Sequence, residues 1–376
     1  MTKLFMRTLA VLLLVPGVTQ AQDCGAPAAV DDGWTRATPA EVGLDPARLC
    51  GLDKVLEQWP TRNIHAVVVI RRGKLIMERY FTGPDDRYGT PIAETKFAPD
   101  VLHDLRSISK STTALLVGIA LGEAKFPPLD SSVFDAFPEF ASLATPEKRK
   151  ITFRQLLTMS SGFAWDESIP YQNPENSERK LIASTDPVRY VLEQPLSSTP
   201  GEVYNYNGGN THLLAAVVAK QNGKNILDYA REKLFAPLDI TDSEWIAMRA
   251  SNEIAAASGL RLRPRDTAKL GQLLLADGKW NGKQVIPQGW AAESVKAHVN
   301  GGGIYFYGYQ WWLGRSLVAG REIDWIAGFG FGGQRLFVVP SLDLVLMVNS
   351  AHYRDALQGI IPAAILNQVV LPAVKD

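Results

Sequence analysis

The chain has 376 residues, 46% hydrophobic and 21% charged, enough for a large core in one domain or two closely joined ones. Its 39 basic residues balance 39 acidic ones, so no electrostatic case exists for a nucleic-acid partner. Two cysteines and five scattered histidines show no metal-ligand spacing; no metal centre, cofactor or cysteine nucleophile is expected.

In chain order, Lys3 and Arg7, the apolar run Leu9 to Val15 and the small-residue site Thr19-Gln20-Ala21 read as a secretory signal peptide over residues 1–21. The segment is too short for a spanning helix; the other reading is an uncleaved N-terminal anchor. With cleavage, the mature chain is expected to be periplasmic or extracellular and to keep no stable membrane anchor. In such a chain Cys24 and Cys50 read as a disulfide that ties down an N-terminal arm.

Asp45-Pro46 opens a predicted helix over 45–60, with Leu49, Leu52, Val55, Leu56 and Trp59 on its apolar side. Residues 65–81 read as a hairpin turning at Arg72-Gly73, and 83–100 as a loop rich in Pro, Asp and Gly. From Ser107 to about 295 helical patterns dominate, beginning after Ser107 and again at Thr152, Asp186-Pro187, Gly209, Asn225 and Arg265. Residues 163–180 read as an irregular loop. Strands return at Tyr307 to Leu313, Leu336 to Pro340 and Leu342 to Asn349, followed by a closing helix over 354–370. Strands at both ends with helices between predict one sheet built from both termini around a helical insertion.

Three stretches carry chemistry. Ser107-Ile108-Ser109-Lys110 opens an apolar helix and puts a serine and a lysine on one helical face. The helix start adds unpaired N–H groups, and burial would lower the lysine pKa toward that of a base. Ser177-Glu178-Arg179-Lys180 repeats the spacing in a polar stretch without an apolar helix behind it, and is read as coincidence. Pro200 to Asn210 holds Tyr204 and Tyr206 just before a buried helix, where a phenol could relay a proton. Ala327 to Gln334 is glycine-dense ahead of a strand, which suits a bulged edge lining a cleft better than a phosphate loop.

Together and in this order, these stretches resemble the serine β-lactamase and penicillin-binding-protein superfamily. The nearest branch is its class C β-lactamase-related esterases and 6-aminohexanoate-dimer hydrolases. The resemblance runs from Ile64 to the C-terminus and includes Leu156-Leu157-Thr158-Met159-Ser160-Ser161-Gly162 and the run Tyr307 to Trp312. It implies an α/β plus all-α, β-lactamase/transpeptidase-like fold: an antiparallel sheet from both chain ends flanked by helices. Residues 22–106 and 296–376 would form the sheet domain and 107–295 a mainly helical one, with the site between them.

Carried over, Ser107 would be the acylated nucleophile, Lys110 its partner and Tyr206 the catalytic tyrosine, with Tyr204 as fallback. The N–H groups of Ser107 and Phe331 would form the oxyanion hole. The implied activity is a secreted serine hydrolase cleaving a small ester or linear amide. The alternatives are a β-lactamase or D-alanyl-D-alanine carboxypeptidase acting on a lactam or peptide, and a non-catalytic cell-wall binding protein.

Two departures matter. The family's Tyr-x-Asn reads Tyr206-Asn207-Gly208, and its Lys-Thr-Gly strand reads Gly328-Phe329-Gly330. Losing that lysine's charge-assisted contact costs about 1.5–3 kcal/mol toward a carboxylate-bearing ligand. The expected substrate wall is therefore neutral: Gly328, Phe329 and Gly330 with Trp311 and Trp312, and Trp325 beside them. His103 is a weaker candidate base than Lys110, and His212 and His298 stand outside any motif.

Overall fold

The computed structural model describes residues 24–375, so the leader expected over 1–21 lies outside the described residues. Cys24 and Cys50 are disulfide-bonded, their Cα atoms 5.6 Å apart. A short strand β1 (Thr35–Arg36) precedes two short helices, α1 (Pro46–Leu49) and α2 (Leu52–Leu56). The expected single helix is thus broken at Cys50-Gly51. Asp45 caps α1 by accepting from the N–H groups of Ala47 and Arg48.

β2 (Ile64–Arg71) and β3 (Lys74–Tyr80) form the expected hairpin; Arg72 and Gly73 both take positive φ, as a tight two-residue turn requires. The expected loop at 83–100 is mostly a second hairpin, β4 (Thr82–Arg87) and β5 (Thr90–Lys96). Pro84 fits because the register shifts between Gly83 and Asp85, and Tyr88-Gly89 make another positive-φ turn. β6 (His103–Asp104) leads directly to Ser107.

The helical part holds α3 (Ile108–Gly122), α4 (Phe153–Leu157), α5 (Ser177–Ala183), α6 (Pro187–Glu193), α7 (Gly208–Asn222) and α8 (Ile226–Ala230). Strands β7 (Glu244–Trp245) and β8 (Leu260–Leu262) join β6 in a small sheet of order β6-β8-β7. Helix α9 (Pro264–Leu275), the pair β9 (Lys279–Trp280) and β10 (Lys283–Gln284), and α10 (Trp290–Ser294) follow. α3 is buried from Ile108 through Ala120 and packs on α7, as a helix apolar on nearly every face must.

The C-terminal part adds β11 (Val299–Asn300), β12 (Phe306–Tyr307), β13 (Trp312–Val318), β14 (Arg321–Gly330), β15 (Gln334–Val339), β16 (Leu344–Ser350) and α11 (Leu357–Ala364). The main sheet runs β1-β3-β2-β16-β15-β14-β13-β12-β11, built from both chain ends. Every pair is antiparallel except β1 with β3. Val68, Ile70, Leu336 and Met347 face the side that carries α3 and α9; Val67, Val69, Phe337 and Leu346 face the side with the terminal helices. Buried on both faces, β2 reads as a continuous apolar run.

The glycine-dense stretch is the end of β14, the longest strand in the sheet; the sequence pointed to an edge here but not to the strand that leads into it from Arg321. β13 pairs only with Arg321 through Ala327, so Gly328-Phe329-Gly330 bond to β15 alone and form a local edge.

Candidate active site

Ser107 stands where β6 turns into α3. Leu105 N–H donates to Leu260 O at 2.9 Å, and Arg106 then takes a left-handed φ of 50°. A long side chain rarely holds that conformation without support. Arg106 is supported by Asp86 at 2.7 Å and Asp104 at 3.2 Å, and its guanidinium lies over the Tyr353 ring. Ser107 occupies the N-cap position yet makes no side-chain cap bond. Its hydroxyl is therefore left for Lys110, whose Nζ donates to Ser107 Oγ at 3.2 Å.

Lys110 is buried, and its ammonium also donates to Ala257 O at 3.2 Å. It lies 3.6 Å from Glu178 and 3.9 Å from Glu167, both with buried side chains. Burial alone would lower its pKa, as the sequence led us to expect. The charge of Glu178, the Tyr206 oxygen and Glu167 outweigh burial, and the net shift is upward. The direction is opposite to the one expected from burial alone, and it favours the protonated form of Lys110 over a neutral lysine base.

Tyr206 is the tyrosine brought to the pair. Lys110 Nζ lies 4.7 Å from its ring centre, and the Tyr206 oxygen is near enough to Ser107 and Lys110 to interact electrostatically with both. Burial raises its pKa, and Lys110 partly offsets that. The Tyr204 hydroxyl is buried without a hydrogen-bond partner and its ring packs on Tyr307, so the fallback does not reach Ser107. The stretch Leu156 to Gly162 braces this loop: Met159 O accepts from Asn205 N–H at 2.7 Å and Ser160 O from Gly201 N–H at 2.8 Å. Asn207, displaced by one from the family pattern, caps α7 by accepting from Asn210 N–H at 3.1 Å.

Sequence reasoning missed Glu167 and Glu178. Glu167 accepts from Trp165 Nε1 at 2.7 Å and from Gly208 N–H. Burial, and then the neighbouring Glu178, push its carboxyl up to about 8, with Lys110 pulling the other way. Glu178 accepts from Ser258 Oγ at 2.6 Å. It lies within the supposed coincidental motif, which is on α5 and not in a loop; Lys180 there points out to Glu175 at 2.7 Å. A Cβ on Gly208 would collide with Glu178, so glycine there lets the carboxylate approach.

A cavity of about 390 Å³ opens beside Ser107, lined among others by Tyr88, Tyr171, Arg179, Phe331, Tyr353 and Arg354. Phe331 thus shares the cavity with Ser107, and neither backbone N–H donates elsewhere among the described residues. The expected wall needs correcting. Trp311 is fully buried in the core. Trp312 stacks on Tyr206 at 5.8 Å and Phe329 on Trp312 at 5.6 Å, while Trp325 packs behind Phe329. These rings back Tyr206 and do not line the cavity at Ser107. Gly328 lies against Ile108 and Ser111, and Gly330 against Leu105 O, where any Cβ would crowd the helix start.

His103 is fully buried, its Nδ1 2.9 Å from Asp104 O and its Nε2 2.7 Å from His65 Nδ1, away from Ser107. His212 pairs with Glu253, and His298 stacks on Tyr309.

A family model described as Beta-lactamase matches residues 52–358. The chain is 27% identical over 335 residues to a 6-aminohexanoate-dimer hydrolase of Paenarthrobacter ureafaciens, covering 83% of this chain and 79% of that one. It is 28% identical over 203 residues to a lovastatin esterase of Penicillium rubens, about half of each chain (48% and 49%). Its fold is similar to that of EstCE1, a hydrolase with promiscuous acyltransferase activity, with a TM-score of 0.66 at 17% identity over 85% of this chain and 97% of that one.

Proposed function

The chain belongs to the beta-lactamase family, and from that premise we propose that it is an exported serine hydrolase cleaving a small ester or linear amide through an acyl-enzyme on Ser107. The observation that carries this reading is that Lys110 Nζ donates to Ser107 Oγ at 3.2 Å and lies over the Tyr206 ring, at the edge of a cavity that Ser107 lines. The names of the two relatives, one an amide-dimer hydrolase and one an esterase, support the substrate class. The disulfide between Cys24 and Cys50 supports an oxidising compartment.

In the reacting form the Lys110–Tyr206 pair holds one proton fewer than its full complement. The charge of Glu178 favours the remaining proton on Lys110, so Tyr206 is the base. Ser107 Oγ attacks the carbonyl carbon and its proton passes to Tyr206. The oxyanion forms between the N–H groups of Ser107 and Phe331. Collapse breaks the ester or amide bond, and Tyr206 gives its proton to the departing alcohol or amine. Water then attacks the acyl carbon, Tyr206 takes its proton and returns one to Ser107, and the acid leaves.

The discriminating experiment compares hydrolysis of p-nitrophenyl esters, a linear amide dimer and a β-lactam. Ester or amide turnover that falls about a thousandfold or more in Ser107→Ala is expected. Rapid stoichiometric acylation by the β-lactam with the others untouched would transfer the assignment to a β-lactamase or carboxypeptidase.

A further inference from the structure

Behind the cavity, and outside the proposed catalytic groups, His65 on β2, Asp85 on β4 and His103 on β6 converge in a fully buried cluster. The three are far apart in sequence, which is why no ligand spacing announced them. His65 Nδ1 faces His103 Nε2 at 2.7 Å. The Asp85 carboxylate spans both rings, with Oδ1 4.0 Å from His65 Nδ1 and Oδ2 3.7 Å from His103 Nε2.

The outer hydrogen bonds fix which nitrogen of each ring carries its proton. His103 Nδ1 lies 2.9 Å from Asp104 O, a carbonyl that can only accept, so Nδ1 bears the hydrogen and Nε2 a lone pair. His65 Nε2 lies 2.8 Å from Asn63 Oδ1, and the Asn63 amide is oriented by its Nδ2 donating to Pro84 O at 2.9 Å. His65 Nε2 therefore bears the hydrogen and Nδ1 a lone pair. Two lone pairs and a carboxylate point at one spot, an arrangement that repels unless a cation sits there. Metal-binding histidines have this outer shell, the second ring nitrogen donating to an oxygen.

We propose that His65, His103 and Asp85 bind one divalent transition-metal ion, zinc by the character of its ligands, with Asp85 offering both oxygens. The candidate ligand atoms of the three residues all lie within 4.8 Å of one another. Tetrahedral zinc with Zn–N bonds of about 2.0 Å sets its nitrogens roughly 3.3 Å apart, so the rings part by about half an ångström and the carboxylate moves in by about as much. The ion would fasten the β4–β5 hairpin and β6 to strand β2 of the main sheet. Two residues tie it to the cavity: Tyr353, whose hydroxyl donates to Asp85 Oδ1 at 3.3 Å, and Asp86, both of which line it. The role is positioning, since no ligand touches Ser107.

The test uses the full chain without a polyhistidine tag. Elemental analysis of the purified protein is expected to find one zinc per chain. Refolding with Co²⁺ alone is expected to give the visible absorption of a four-coordinate Co²⁺–imidazole site, and refolding with a chelator to lower the yield of folded protein. His103→Ala and Asp85→Asn should each lose the cobalt spectrum. The proposal is overturned if wild type binds less than about a tenth of an equivalent of either metal after refolding and desalting and refolds equally well with chelator. It is also overturned if the spectrum survives in His103→Ala. Should the variants fail to fold, the wild-type cobalt titration decides by itself.

Discussion

At the scale of single residues, charge decides the division of labour at Ser107. The Ser–Lys spacing was legible because i and i+3 share a helical face. The lysine's protonation was not, because Glu167 and Glu178 come from a distant irregular segment and from α5. Glu178 raises the pKa of both Lys110 and Tyr206. In Glu178→Gln the deprotonated pair should therefore form at lower pH. Its kcat/KM profile is expected to rise at lower pH than wild type, read from rates on one ester across the pH range; an unmoved limb would contradict the assignment. Glu167 makes a separate prediction about stability. Its folded pKa, raised to about 8, exceeds the ordinary value of 4.5. The folded state thus binds the proton more tightly, and that stabilisation is full below pH 4.5 and lost as pH rises through about 8. Glu167→Gln keeps an acceptor for Trp165 and Gly208 without the charge. Thermal melts should show the variant gaining on wild type across that window and holding the gain above it.

At the scale of elements, the longest periodic segments were read well and the punctuated ones poorly. α3, α7, α9 and the β2–β3 hairpin lie close to where patterning placed them. The β4–β5 hairpin was lost because Pro84, two aspartates and a glycine suggest a loop; a register shift absorbs the proline. Of β14 only the glycine-rich edge was legible, because Gly328 and Gly330 dilute its strand signal, and both are small for a reason, being pressed against the start of α3. Gly162 gives an element-level prediction. It takes φ +82°, and a Cβ there would lie 2.5 Å from Ser198 O, beside the loop that carries Tyr206. Gly162→Ala is expected to cost about 1–3 kcal/mol in denaturant titration and to lower kcat by displacing Tyr206. A variant as stable and as active as wild type would show that this turn does not position the tyrosine.

At the scale of the whole molecule, the chain ends make the sheet and the middle supplies the helices, so the proposed site depends on contacts between distant segments. Composition and motif order made that architecture legible, whereas side-chain direction was not. Phe329 and Trp312 lie near the site in sequence, yet their rings turn to the face opposite α3 and back Tyr206. The N-terminal arm is anchored by the Cys24–Cys50 bond, by Arg36, which donates to Pro27 O at 2.7 Å, and by Arg265, which pairs with Asp32 at 3.0 Å and donates to Ala28 O. Replacing both cysteines with serine frees a loop of sequence separation 26, worth about 3 kcal/mol by chain entropy. Unfolding midpoints should fall accordingly, with kcat/KM unchanged because neither cysteine approaches the cavity. The proposed hydrolysis turns on a covalent intermediate at Ser107. Intact-mass measurement after rapid mixing with an activated ester should show one acyl group added to wild type, mapped to the peptide containing Ser107, and no adduct in Ser107→Ala. Turnover without any adduct on that peptide, or the same adduct in Ser107→Ala, would contradict it.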